Sequence, residues 1–362
     1  MSHLFSPLKV KDVTFRNRIG VAPMCQYSSN DGVATNWHMV HLGSRAVGGA
    51  GLIIAEATAV MPNGRITPGC AGIWSDAHAE ALAPIVRFQA EHGAVPGIQL
   101  AHAGRKGSAA RPWDGGQHLA NEDGGYDIIG PYDEPFDDDG VRLWKKPRMM
   151  TQDDINEVQG AFVAATKRAL AAGYKLLEIH GAHGYLLHSF FTPLVNKRTD
   201  RYGGSLENRA RMMLETVEKV RAVWPESLPL AVRLSTHDWV EGGLGVADNI
   251  QMAKWLKERG VDFVDCSTGG ANPGSRSSMG NRIAEQVGIA GQIRDAADVK
   301  TMAVGVITEP QQAEQIIASG TADIALLARQ MLRDPYWPFH AAQALGVPTK
   351  PIMPIQNGFF VG

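Results

Sequence analysis

Between Leu176 and Arg209 the chain reads LLEIHGAHGYLLHSFFTPLVNKRTDRYGGSLENR. A short apolar run, Leu176, Leu177 and Ile179, stops abruptly at His180, His183 and Tyr185. Two imidazoles at that spacing can donate hydrogen bonds to one substrate oxygen, and the phenol beside them can give up a proton. A phenol of pKa ~10 is protonated at neutral pH, as a proton donor must be. The geometry this requires is a strand that delivers polar side chains at its C-terminal end, where barrel enzymes keep their chemistry.

A second set of residues reads as a binding site. Arg233 lies inside the apolar strand LPLAVRLS, where an unpaired charge is costly, so it meets either a carboxylate (Glu56 or Asp265) or an anionic ligand. Gln99 ends another strand in the same manner. An amide and a guanidinium side by side suit the N1–C2=O edge of a flavin, which becomes anionic on reduction. Further on, Gly305 ends one strand and Arg329 the next, with Gly269, Gly270 and Gly274 in a preceding loop. Amides at glycines and a guanidinium at these loops favour a phosphorylated ligand.

The elements that must position these groups follow from pattern. Strands are expected at the run into VAPMCQYSS, at 51–60, from Val95, at YKLLEIH, at 228–235, at DFVDCSTGG, at 300–307 and at 323–329. Helices are expected over 37–48, from an Asp76 cap to about His92, over 151–172, from a Ser205 cap to Trp224, and over 246–259, 310–319 and 335–345. Thr151 with Asp154 reads as a capping box. Such alternation calls for an α/β fold, a (β/α)8 TIM barrel with an N-terminal hairpin, as one domain spanning 1–362. A doubly wound sheet would want a glycine fingerprint after its first strand, and VAPMCQYSS has none. Residues 108–147, rich in Gly, Pro and Asp, read as a long loop after strand three, carrying one hairpin and covering the barrel mouth.

Composition narrows the function classes. The 362 residues are 44% hydrophobic and 20% charged, with a net charge of −2. That balance argues against nucleic acid or an anionic membrane as partner. No apolar run is long enough to span a bilayer, and MSHLFSPLKV lacks a signal-peptide layout. Cys25, Cys70 and Cys266 are too scattered for a disulfide frame, which suits a reducing cytoplasm.

PMCQY, IQLAHAGRKG, HGAHGYLLHSFFTPLVNKRTDRYGGSLENR and the last two strand ends resemble the old yellow enzyme family of FMN-dependent ene-reductases, over about Phe5 to Ala342. Cys25 with Tyr27 is similar to the thermophilic-like branch, which includes the xenobiotic reductases. The resemblance implies tightly bound FMN, NADPH or NADH as reductant, and reduction of the C=C bond of enones and enals. Nitro compounds, quinones and chromate are further implied acceptors, and a homodimer or homotetramer the implied assembly. It places Ala22, Pro23, Met24 and Cys25 along the flavin ring, and Ala57, Gln99 and Arg233 on its pyrimidine and ribityl part. Gly305, Ala328 and Arg329 would take the phosphate. His180 and His183 would bind the substrate oxygen, Tyr185 would protonate the alpha carbon, and Tyr27 would help hold the substrate. Met302 would face either the barrel interior or the flavin edge. The tail PIMPIQNGFFVG lacks the arginine or tryptophan of relatives, leaving Phe359 or Phe360 as aromatic substitutes.

Three rival readings are testable. A metal-dependent lyase would use His180, His183 and Glu178. A larger flavoprotein of the same superfamily would need a cysteine cluster and further domains. A non-catalytic flavin binder would not need the phenol.

Overall fold

The computed structural model describes residues 2–137, 144–350 and 352–361. Twelve strands are found among them: β1 (Leu8–Val10), β2 (Val13–Phe15), β3 (Ile19–Val21), β4 (Leu52–Ala59), β5 (Val95–Ala101), β6 (Ile129–Gly130), β7 (Arg148–Met149), β8 (Leu176–Gly181), β9 (Leu230–Ser235), β10 (Phe263–Ser267), β11 (Lys300–Val304) and β12 (Ile324–Leu327). Eight of these, β3, β4, β5, β8, β9, β10, β11 and β12, close in chain order into a parallel barrel. The fold is therefore the expected (β/α)8 barrel. The antiparallel pair β1–β2 is the N-terminal hairpin, with Leu8 opposite Phe15.

The barrel strands carry near-continuous apolar runs because both their faces are covered. All eight residues of β4 are buried, as are all six of β9. Helices α1 (Asn36–Val47), α2 (Asp76–Glu91), α3 (Gln152–Ala172), α4 (Leu186–Phe191), α5 (Leu206–Arg221), α6 (Val246–Glu258), α7 (Pro273–Met279), α8 (Glu285–Ala297), α9 (Pro310–Ala318), α10 (Arg329–Arg333), α11 (Trp337–Ala344) and α12 (Ile355–Val361) follow. In α5 the Ser205 Oγ accepts from the Asn208 amide at 3.3 Å, and the helix buries Ala210, Met213, Val217 and Val220. Each large apolar side chain so buried contributes roughly 2 kcal/mol. The Thr151–Asp154 capping box opens α3, and Gly173 closes it at φ +98°.

Inside the barrel, register decides which side chains meet. Gly20 pairs with Leu326 on one side and Leu52 on the other. A Cβ at Gly20 would come within 2.4 Å of Leu326 Cδ2, so glycine lets the large neighbour fill the axis. A bulge between Ala55 and Ala57 brings Ala57 level with Gln99.

Several sequence expectations need correction. The N-cap of α2 is Ser75, with Asp76 as the first helical residue. Arg329 begins α10 instead of ending the last strand. No helix was expected between the sixth and seventh barrel strands, yet α7 and α8 fill that crossover. Pro, Gly and Ser at its start masked the apolar spacing of α8, Ile289, Ala290 and Ile293. The hairpin expected in 108–147 is absent among the described residues. Instead β6 and β7 pair in parallel, and Ala109 bridges His118. The DDDG end of that loop lies partly outside the described residues. The tail forms α12 with Phe359 and Phe360 exposed.

Buried imidazoles make stability pH-dependent. Burial pushes His102 down to about 4, while its Nδ1 accepts from the Gly104 amide at 3.0 Å. The unfolded chain takes up that proton near pH 6.5, so the contribution is fully present above that value. It is lost as the pH falls from there through about 4. We expect the unfolding free energy from urea titration to decline over this window by up to about 3 kcal/mol, with the midpoint falling in step, and His102→Asn to flatten the decline. A midpoint that is level from pH 7 to 4 in the unsubstituted protein contradicts this.

Candidate active site

At the C-terminal ends of the barrel strands lies a cavity of about 930 Å³, bordered by Tyr27, Lys106, His183, Tyr185, Arg233 and Arg329 among others. Along one edge of it runs the turn that leaves β8. The Ala182 amide donates to His180 Nδ1 at 3.3 Å, so the ring hydrogen sits on Nε2. His183 takes a left-handed backbone, φ +61°. Its amide donates to Ser235 Oγ at 2.8 Å, and its carbonyl accepts from Lys106 Nζ at 2.8 Å. Its Nε2 lies 2.7 Å from Ser267 Oγ. The two imidazole centroids are 5.1 Å apart, and the Tyr185 ring is 5.0 Å from His180. The three residues singled out in the sequence thus converge.

The turn is clamped from below. The Gly184 amide donates to His188 Nδ1 at 2.8 Å, which leaves the hydrogen of His188 on Nε2, 3.2 Å from Asp238 Oδ1. Asp238 Oδ2 accepts from Thr192 Oγ1 at 2.6 Å and from the Leu244 amide at 2.9 Å. Gly184 sits at φ +74°, and a Cβ there would fall 2.0 Å from the Gly270 carbonyl oxygen. Gly184→Ala should therefore cost roughly 3 kcal/mol or more, read as a fall in the urea midpoint. An unchanged midpoint would show that the turn can relax.

Electrostatics keep the donors neutral. Burial first, then the Arg233 charge, hold His180 and His183 well below the usual imidazole range. Both are neutral N–H donors at pH 7. Burial also pushes the Cys25 thiol and the Tyr27 phenol upward, and the two side chains are hydrogen-bonded. Cys25 is accordingly a thiol rather than a thiolate.

The binding residues divide into two groups. Ala22, Pro23, Met24 and Cys25 form the segment leaving β3, anchored by the Ala22 amide on the Leu327 carbonyl at 3.0 Å. Ala57, Gln99 and Arg233 occupy inward positions of β4, β5 and β9; of these, Arg233 borders the cavity. Arg233 Nε lies 3.2 Å from Asp265 Oδ2, so the partner is Asp265 and not Glu56. Glu56 faces His38 and accepts from the Gln26 amide at 2.9 Å. Gly305 (φ +149°), Ala328 and Arg329 border the far end of the cavity. Met302 pairs with Asp265 in register and faces the barrel interior. Neither Phe359 nor Phe360 borders the cavity.

Residues missed in the sequence reading are Lys106, Ser267, Gln286 and Arg333, all on the cavity wall. Arg333 could have been found, because it repeats Arg329 at i+4 on one helical face. Lys106 lay within the quoted IQLAHAGRKG. Ser267 gave no signal, since only the register of β9 with β10 brings it to the site.

A model of the NADH:flavin oxidoreductase / NADH oxidase family matches residues 3–347. The chain belongs to this family, the old yellow enzymes. It is 46% identical to the NADPH dehydrogenase of Bacillus licheniformis, over 98% of this chain and 97% of that one. Among solved structures, the old yellow enzyme homologue from Zymomonas mobilis superposes with a TM-score of 0.77 at 26% identity, covering 94% of this chain and 92% of that one. The 2-naphthoyl-CoA reductase complex gives a TM-score of 0.84 at 25% identity, covering 97% of this chain. This chain spans only 53% of that longer protein.

As an old yellow enzyme family member the protein is an FMN-binding oxidoreductase that uses a nicotinamide reductant. The site fits that group. No carboxylate among the described residues pairs with Arg329 or Arg333 on the cavity wall, which suits a phosphate. Arg233 offers a buried cation to an electron-rich ring edge. The metal-lyase reading lacks its donor set: among the described residues no three His, Cys, Asp or Glu side chains could hold an ion. Glu178, its third ligand, instead accepts from Gln99 Nε2 at 2.8 Å. No helix of the described residues is long and apolar enough to cross a membrane.

Proposed function

We propose that the protein is an NADPH-dependent ene-reductase that saturates the C=C bond of α,β-unsaturated ketones and aldehydes. The observation that carries the reading is the convergence of two neutral imidazoles and a phenol at the turn leaving β8, where His183 and Tyr185 border the cavity and His180 packs against both. Bound FMN would supply the hydride chemistry between the nicotinamide and the alkene. The protein's residues do the rest. His180 and His183 donate to the substrate carbonyl oxygen as negative charge gathers there, which is oxyanion-type stabilisation. Tyr185 gives its proton to the alpha carbon. Tyr27 packs against the substrate, with its ring edge-on to Trp113 at 5.7 Å. Ala22, Pro23, Met24 and Cys25 would lie along the ring, while Ala57, Gln99 and Arg233 would hold its pyrimidine and ribityl part. Gly305, Ala328 and Arg329 would hold the phosphate.

Product analysis tests this reading. NADPH and 2-cyclohexenone, incubated with the protein without oxygen, should yield cyclohexanone. Cyclohexenol as product, or NADPH left unconsumed, would overturn it.

A further inference from the structure

Glu178 on β8 and Asp265 on β10 flank β9, the strand of Arg233, and lie within side-chain hydrogen-bond reach of each other. Both are fully buried. Glu178 Oε1 accepts from Gln99 Nε2. Its Oε2 and both carboxylate oxygens of Asp265 are buried and make no hydrogen bond, and of the three only Asp265 Oδ2 has a cation beside it, Arg233 Nε at 3.2 Å. Two ionised carboxylates in that arrangement would leave three orphaned acceptors and two like charges against one arginine. Each buried orphan costs about 1–3 kcal/mol, more when charged. A single proton between the two acids satisfies Glu178 Oε2 and one Asp265 oxygen together, and leaves one negative charge facing Arg233.

We propose that Glu178 and Asp265 share one proton and act as a positioning pair for Gln99 and Arg233, the two side chains assigned to the flavin's pyrimidine edge. This rests on the site reading given under Proposed function. Gln99 is fixed by Glu178, and Arg233 by Asp265. The shared proton makes the buried assembly neutral before the ligand gains electrons. The groups around the pair are Gln99 on β5, His180 on β8, Arg233 on β9 and Met302 on β11, and among the described residues no further charged side chain is paired in register with them. Burial first, then the charge of Asp265, push Glu178 well above the usual carboxyl range, and this places the proton on Glu178. Burial raises Asp265 too, and Arg233 opposes the rise at both acids.

The test uses the FMN-loaded protein. Infrared spectra of the unsubstituted protein and E178Q at pH 7 should differ by a protonated carboxylic C=O band, present only in the former and shifted in D2O. Absence of that band overturns the shared proton. A glutamine retains both hydrogen bonds of a protonated glutamate, donating to Asp265 and accepting from Gln99. E178Q should therefore hold FMN within about twofold of the unsubstituted affinity, while E178L weakens it about tenfold. E178Q as weak as E178L, or E178L as tight as the unsubstituted protein, overturns the positioning role. Should E178L fail to fold, the infrared band and the E178Q affinity still decide. Neither readout needs alkene turnover, so a failure of the ene-reductase reading would be seen separately.

Discussion

Tyr185→Phe is expected to slow alkene reduction by about 10²–10⁴-fold while leaving reduction of the bound flavin by NADPH within a few-fold of its original rate. The asymmetry follows from where the phenol stands. Tyr185 borders the cavity with its ring 5.0 Å from that of His180, and its hydroxyl is the acid assigned to the alpha carbon. Hydride delivery from a nicotinamide needs no such acid. The substitution removes one oxygen and keeps the ring, so the packing against His180 and the cation–π contact with Lys106, 5.1 Å from the ring centroid, persist. Stopped-flow absorbance separates the two half-reactions. Equal slowing of both would remove Tyr185 from the donor role and leave it a packing residue.

Removal of the imidazoles should have an effect of similar size. His180→Ala or His183→Ala should each lower alkene reduction by about 10²–10³-fold, as for loss of an oxyanion donor. The double variant should fall well short of the product of the two, because both donors serve one oxygen. Their neutrality adds a pH signature. Both imidazoles are held well below the ordinary range by burial and Arg233. The donor N–H groups are thus unchanged across pH 6–8, and the alkene step should show no inflection near 6.5 from these rings. An inflection there that disappears in His183→Ala would mean that His183 titrates normally and that the site is wetter than its geometry implies.

Much of this arrangement was legible from residue types alone. The β8 run ending in His180 shows because an apolar strand gives way to polar groups within three residues, and the barrel follows from eight such alternations. The N-caps Thr151 and Ser205 were readable because capping is a local interaction between neighbours in sequence. What stayed hidden depends on register between distant strands. The choice of Asp265 over Glu56 as the partner of Arg233 is fixed by the pairing of β9 with β10 and by the bulge that turns Glu56 aside. The same pairing carries Ser267 to His183, and no spacing rule links residues 84 apart. The parallel pairing of β6 with β7 was missed because two-residue strands have no period to detect. Roles on the flavin came from the family resemblance and not from pattern.

The claim on which the account turns is that a flavin reduced by NADPH stands within reach of His180, His183 and Tyr185. An anaerobic titration of the purified protein tests it most directly. The expected result is a yellow protein whose absorbance is bleached stoichiometrically by NADPH and restored stoichiometrically by 2-cyclohexenone. A colourless protein, or a bleached flavin that the enone leaves reduced, would contradict it.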